Sequence, residues 1–93
     1  MASDWLEDLG IILNTICMHM NGAPCNFTDS TPISERIASI FGLYQSNGCL
    51  GLSTDEAQGD LQILKEHLAL PANSLDSGDN ANLNTIITSC WKG

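Results

Sequence analysis

Four cysteines constrain this chain more than any other feature of its sequence. They are Cys17, Cys25, Cys49 and Cys90, in a chain of 93 residues. No two of them form a C-x-x-C pair, which argues against a zinc knuckle or a thioredoxin-type redox site. An even number at wide spacing is typical of disulfide-bonded exported domains, whereas the alternative is four buried thiols in a cytosolic protein. Because a core of this size gives only marginal stability and each crosslink adds ~2–4 kcal/mol, we expect two disulfides.

Four cysteines allow three pairings, and the sequence alone leaves all three open. Helix geometry favours one of them. Cys17 is expected on the last turn of the first helix, and Cys25 follows once the chain has turned at Gly22. Cys49 precedes the third helix and Cys90 ends the fourth, so these two meet if the helices pack as an antiparallel hairpin. We therefore expect Cys17–Cys25 and Cys49–Cys90.

Hydrophobic residues recur at three- and four-residue steps in four stretches, which predicts an all-α domain, a small compact bundle of four main helices. The first helix is expected over about 4–20, capped by Ser3 and stopped at Gly22. The second is expected to open at Thr31-Pro32, with threonine as N-cap and proline in the first helical position. It should end at Asn47-Gly48, where glycine supplies a left-handed residue.

The third helix has the clearest start signal, since Ser53 and Glu56 match a capping box, and Pro71 should end it. The fourth is expected over about 82–90. Together the four helices make 1–93 a single domain, in which 1–3 are expected to be disordered or to begin an engineered mature form. The side chains expected to face the core are Trp5, Leu6, Leu9, Ile12, Leu13, Ile16, Cys17, Met18, Met20, Ile33, Ile37, Ile40, Phe41, Tyr44, Ala57, Leu61, Leu64, Leu68, Leu83, Ile86, Ile87 and Cys90.

Charge excludes several classes of partner. Eleven acidic residues against three basic ones give a net charge of −8. No basic patch could neutralise phosphates, so we expect no nucleic-acid partner, and an anionic membrane surface is disfavoured for the same reason. No segment is long and apolar enough to span a bilayer, so membrane insertion is not expected. An acidic surface keeps a protein soluble and steers basic partners towards it.

The four cysteines indicate the cellular compartment in which the protein is expected. The first residues, 1–4, lack a basic region and are not a signal peptide, so a precursor is expected to carry a leader that directs the protein to the periplasm or outside the cell. Asn26-Phe27-Thr28 is an N-glycosylation sequon, which matters only in a eukaryotic secretory protein. Bacterial and eukaryotic origins both stay open.

Groups that could carry chemistry are few. The pair Cys17 and His19 could suggest a metal or thiol–histidine site, but the two lie on different helix faces and no further ligands are evident. Asp55, Glu56 and Asp60 fit helix capping and dipole complementation better than a carboxylate site. No hydrolase, phosphate-loop or calcium-loop motif is present. We expect a protein that is not an enzyme and takes no metal or cofactor.

From Phe41 onward the chain resembles a family of periplasmic immunity proteins that act against peptidoglycan amidases delivered by type VI secretion. An aromatic–glycine stretch at 40–44 is followed by Cys49 just before a Ser/Thr-capped helix, and the last helix closes on a cysteine within 86–91. The resemblance covers about half of the chain. The family commonly has a proline soon after the middle cysteine and just before the last one, where this chain has Leu50-Gly51 and Ser89.

The resemblance implies inhibition by binding: the protein docks on a toxic amidase and blocks its active-site cleft, in many members as a homodimer. Polar segment 74–80 is the candidate for insertion, the alternative being a plain connection. The residues predicted to contact the partner are Ser74, Asp76, Ser77, Asp79 and Asn80.

Two other functions stay open. One is a secreted effector or toxin subunit, for which the sequon would matter. The other is a secreted helical carrier of small hydrophobic ligands, although a compact core made of the same residues is the simpler expectation. The carrier predicts a cavity lined by Ile12, Ile16, Ile37, Ile40, Phe41, Leu61 and Leu64.

Overall fold

The predicted helical stretches form four α-helices in a computed structural model. The structure describes residues 2–25, 27–28, 30–70 and 75–93, without the side chains of 2–4. They are α1 (Ala2–Asn21), α2 (Ile33–Asn47), α3 (Asp55–Leu68) and α4 (Ser77–Cys90). No strand forms in these ranges, so the all-α prediction is confirmed. No helix in the described part of the chain is long and apolar enough to cross a membrane.

The predicted stops of α1 and α2 are confirmed, but their predicted starts are wrong. α1 includes Ser3, which therefore does not cap it from outside. The first residue of α2 is Ile33, and Pro32 occupies the N-cap position without a side-chain cap. The Thr31 hydroxyl instead accepts a hydrogen bond from the Thr28 backbone N–H at 3.0 Å. A local turn in the preceding loop has taken the oxygen that the predicted cap needed.

The starts of α3 and α4 also differ from prediction. The N-cap of α3 is Thr54, whose hydroxyl accepts from the Ala57 N–H at 3.2 Å, one residue later than the Ser53 capping box. α4 begins at Ser77, five positions before the predicted start, because the Asp76 carboxylate caps the Asp79 N–H at 2.8 Å. An aspartate cap thus starts a helix in a segment whose Ser, Gly and Asn content favours a loop. Pro71, the predicted end of α3, lies outside the described residues; α3 ends at Leu68.

The hydrophobic faces of the four helices meet in one core. α1 packs against α2 and α3, and α2 packs against α4, while the contact between α3 and α4 is the least extensive. Each fully buried Leu or Ile contributes about 1.5–3 kcal/mol. Met18 and Leu6, predicted to face the core, are instead 48% and 43% exposed. The buried apolar side chains are Trp5, Leu9, Leu13, Ile16, Cys17, Met20, Ile37, Ile40, Leu52, Ala57, Leu61, Leu64, Leu83, Ile86, Ile87 and Cys90.

Both predicted disulfides are present. Cys17–Cys25 spans 8 positions and ties the end of α1 to the loop that follows it. Cys49–Cys90 spans 41 positions and ties the connection before α3 to the end of α4. Gln58 reinforces the second junction, because its side-chain amide donates to the Cys90 backbone oxygen at 2.9 Å. The start of α3 therefore lies beside the end of α4, as the pairing argument required.

Arg36, one of the three basic residues of the chain, is buried in α2 with 8% exposure. Its guanidinium binds α1 and the loop before α2, an arrangement that the sequence did not reveal. The hydrogen bonds, of 2.7–3.4 Å, run to the side-chain oxygen of Asn14 and to the backbone oxygens of Gly10, Thr28 and Thr31. Four neutral oxygens satisfy a group whose burial would otherwise be costly.

Candidate functional site

The segment predicted to contact a partner is not a free loop. Asp76 is the N-cap of α4, and Ser77, Asp79 and Asn80 lie in its first turn. Ser74 falls outside the described residues. The Asn80 side-chain amide donates to the backbone oxygen of Asp76 at 3.2 Å. The described part of the segment from 76 on therefore begins a helix and does not form the expected loop, whereas its contact with a partner stays a prediction.

Asp79 has a perturbed acidity within this helix start. Burial, and then the neighbouring Asp76 carboxylate, raise the pKa of Asp79 above the usual range of an aspartate. The larger cause is therefore the partial burial of the Asp79 carboxyl, and the smaller one is repulsion from the Asp76 carboxylate in the same turn. Neither cause by itself builds a binding site.

A groove between α1 and α3 offers a better candidate. Its volume is about 780 Å³, within the ~300–1,000 Å³ typical of ligand sites. The end of α1 and the residues after it form one wall, and the start of α3 with the turn before it forms the other. The residues that line this α1–α3 groove are Thr15, Met18, His19, Gly22, Ala23, Pro24, Gly51, Thr54, Glu56 and Asp60.

Close backbone contact at Gly51 fixes the two walls relative to each other. Gly51 has a φ of +85°, in the left-handed region that favours glycine. A Cβ placed there would overlap the backbone oxygen of His19 and crowd the Cα of Met20. Only glycine therefore allows the turn before α3 to lie directly on the last turns of α1.

His19 and Asp60 form a hydrogen-bonded pair across the groove. The Nε2 atom of His19 lies 3.0 Å from the Oδ2 atom of Asp60, and both side chains are partly exposed. The carboxylate accepts from the ring, so Nε2 carries the proton. This geometry resembles the base and orienting carboxylate of a hydrolytic site, for which a nearby nucleophile is required.

The hydroxyl groups that line the groove are already engaged. Thr15 donates to the Ile11 backbone oxygen at 3.0 Å, and the Thr54 hydroxyl caps α3. All four cysteines are disulfide-bonded. Among the residues that the structure describes, no cluster of three or more metal-ligating side chains occurs. The described lining of the groove includes two carboxylates, Glu56 and Asp60, beside the apolar Met18, Ala23 and Pro24.

The pairing of His19 with Asp60 was not predicted from the sequence, where each residue was considered separately. The two residues are 41 positions apart, and only the packing of α1 on α3 brings them together. Met18 was likewise predicted to face the core, although its side chain is exposed and lines the groove. The helical periodicity of α1 partly indicates the exposure of Met18, because Met18 lies seven residues after the exposed Ile11 and so on the same helix face.

The cavity expected for a hydrophobic-ligand carrier is filled by packed side chains. Five of its predicted lining residues belong to the buried core, and Ile12 and Phe41 pack against that core. Four grooves found over the described residues are lined by other side chains. The predicted lining residues therefore serve as core.

Positive charge is scarce on the accessible surface. Arg36 is buried, and the Lys65 ammonium lies 4.9 Å from the centroid of the Trp91 ring. Acidic side chains are distributed over all four helices and their caps. Those that are exposed among the described residues are Glu7, Asp8, Glu35, Asp55, Glu56, Glu66 and Asp76.

Comparison of the chain with protein-family models, curated proteins and solved structures found no match.

Proposed function

We propose that this protein is a non-enzymatic inhibitor that works by binding another protein in an oxidising compartment, and that its partner is a secreted peptidoglycan amidase. The protein is then an immunity protein of the periplasm. The amidase comes from the sequence resemblance, whereas the binding mode comes from the distribution of charge and the crosslinks.

The observation that carries the proposal is the acidic, rigid surface. Exposed carboxylates occur on every helix or at its cap, while Arg36 is turned inward. Such a surface accelerates association with a basic partner and disfavours acidic ones. Disulfides at Cys17–Cys25 and Cys49–Cys90 hold the helix ends in place. A preorganised surface loses less conformational entropy on binding.

The test is a binding and inhibition assay with any secreted cysteine hydrolase that the genes next to this one are found to encode. Isothermal titration calorimetry should give a stable complex, and its association rate should fall steeply as salt is raised, since the attraction is electrostatic. Cleavage of peptidoglycan by the hydrolase should stop at one equivalent of this protein. Light scattering on the free protein and the complex determines whether a homodimer is the inhibiting species.

Failure to bind or inhibit any co-encoded hydrolase would overturn the amidase proposal. Displacement of an apolar fluorophore by lipids, with saturable binding, would favour the carrier instead.

A further inference from the structure

We propose that the α1–α3 groove receives an arginine side chain of the partner protein, flanked by an apolar residue. This inference rests on the proposed function, because it names the surface and the partner group through which that function would act. Its occupant is identified by charge and shape alone.

Two carboxylates line the groove, Glu56 and Asp60, and neither is paired with a lysine or arginine among the described residues. Glu56 is exposed, and it makes no hydrogen bond or ion pair with any described residue. Asp60 uses its Oδ2 atom for His19, which leaves Oδ1 open within the described structure. No lysine or arginine lines the groove. A cation entering the groove would therefore meet two carboxylates, and among the described lining residues only His19, when protonated, would compete with it.

The helix dipole of α3 opposes this attraction only in part. Glu56 lies in the first turn of α3, where the dipole contributes the equivalent of about +0.5 charge. Two carboxylates outweigh that half charge. With the His19 ring neutral, the charges at the groove sum to a negative value, in agreement with a net charge of −8 for the whole chain.

Apolar groups beside the carboxylates suit the stem of an arginine. Met18 is 48% exposed, and Ala23 and Pro24 continue the same wall. Long basic side chains bury their methylene groups on apolar surface while the charged head reaches polar groups. The planar guanidinium also matches carboxylate oxygens, which favours arginine over lysine.

The groove is held in shape before any partner arrives. Cys17–Cys25 fixes the stretch that contains Ala23 and Pro24, and the contact of Gly51 with His19 fixes the opposite wall. The His19–Asp60 hydrogen bond orients one of the two carboxylates. Little rearrangement is thus required for binding.

A double variant, Glu56→Gln with Asp60→Asn, tests the groove. Asparagine at 60 keeps an oxygen for His19 while the negative charge is lost. The matched control is Glu35→Gln with Glu66→Gln, which removes the same charge from exposed positions that do not line the groove. We expect the amidase dissociation constant to rise at least about tenfold for the groove variant and less than about threefold for the control. Equal weakening in both would overturn the groove assignment.

A probe that does not depend on the amidase separates the two proposals. Titration of isotope-labelled protein with the peptide acetyl-Leu-Arg-Leu-amide should shift the NMR signals of Met18, Gly51 and Asp60, and acetyl-Leu-Gln-Leu-amide should not. If these shifts occur but no amidase binds, the proposed function fails and the groove stands. If the groove variant binds amidase normally and the peptide shifts other residues, the groove fails and the function stands.

Met18→Lys supplies a second variant at an exposed position. It places a competing cation in the groove and leaves both carboxylates unchanged. The same loss of amidase affinity, with an unchanged melting temperature, supports the assignment, while wild-type affinity contradicts it.

Discussion

Trp5 and His67 join the start of α1 to the end of α3 by two reciprocal hydrogen bonds and a ring stack. The Trp5 indole N–H donates to the His67 backbone oxygen at 3.1 Å, and the His67 Nε2–H donates to the Trp5 backbone oxygen at 2.8 Å. Their ring centroids are 4.9 Å apart, with 15° between the planes. The pair closes the end of the α1–α3 interface opposite to the groove.

Removing one donor from this pair should weaken the fold measurably. His67→Phe keeps a ring against Trp5 but loses the Nε2 donor, so we expect unfolding free energy to fall by about 1–2 kcal/mol. Trp5→Ala also leaves a cavity and should cost about 3–5 kcal/mol. Urea unfolding, followed by circular dichroism in the far ultraviolet, measures the free energy of unfolding of both variants. Losses below about 0.5 kcal/mol for His67→Phe would contradict a contribution from the reciprocal bonds.

Gly51 should tolerate no side chain. Gly51→Ala adds a Cβ that overlaps the His19 carbonyl, at a φ of +85° that alanine rarely adopts. We expect a loss of at least about 2–3 kcal/mol, because backbone atoms must move. The control is Gly59→Ala, in an exposed helical position with open space around its Cβ. Gly59→Ala should raise the free energy of unfolding by about 0.5–1 kcal/mol. Thermal unfolding of the two variants in parallel tests the contrast, and a neutral Gly51→Ala would rule out the close approach.

Thr54 and Ser53 distinguish the observed cap of α3 from the predicted one. Thr54→Ala removes the hydroxyl that accepts from the Ala57 N–H, and should cost about 1 kcal/mol. Ser53→Ala should change stability by less than about 0.5 kcal/mol, since the residue lies outside the helix. Chemical denaturation of both variants is the measurement. A larger loss of stability for Ser53→Ala than for Thr54→Ala would contradict the observed cap and support the Ser53–Glu56 capping box.

The raised pKa of Asp79 predicts how the stability of the fold changes with pH. Its raised pKa means that the folded chain holds the Asp79 proton more tightly than the unfolded chain. The resulting stabilisation is present below the unfolded value, near 3.8, and is lost as pH rises through the folded one. Asp79→Asn should therefore be more stable than wild type at pH 7, with the advantage disappearing at about pH 3. Melting temperatures of the two proteins across this range check the sign; a less stable variant at pH 7 would contradict it.

Local signals predicted the fold well because they depend on neighbouring residues. The stop at Asn47-Gly48 follows from glycine, whose φ of +63° at position 48 lies in the region that favours this residue. Cys49 and Cys90 were paired correctly because the connection before α3 lies beside the end of α4, where Gln58 also donates to the Cys90 backbone oxygen. The starts of helices were less predictable, since Ser53 and Thr54 are adjacent capping residues of similar preference.

The candidate site could not be predicted in the same way. His19 and Asp60 meet only through the crossing of α1 and α3, and no local pattern encodes that crossing. Arg36 gave the appearance of a surface charge, since arginine is rarely buried. Its four neutral partners come from α1 and from the loop before α2. Burial of Arg36 makes the surface more acidic than the composition alone implies.

We propose that this chain is a disulfide-bonded binding domain of an oxidising compartment. Mass spectrometry of native protein, isolated with its free thiols alkylated under denaturing conditions and then digested without reduction, tests it most directly. We predict no alkylated cysteine and two linked peptide pairs, Cys17 with Cys25 and Cys49 with Cys90. Four alkylated cysteines in freshly isolated protein would contradict both the fold's crosslinks and the compartment inferred from them.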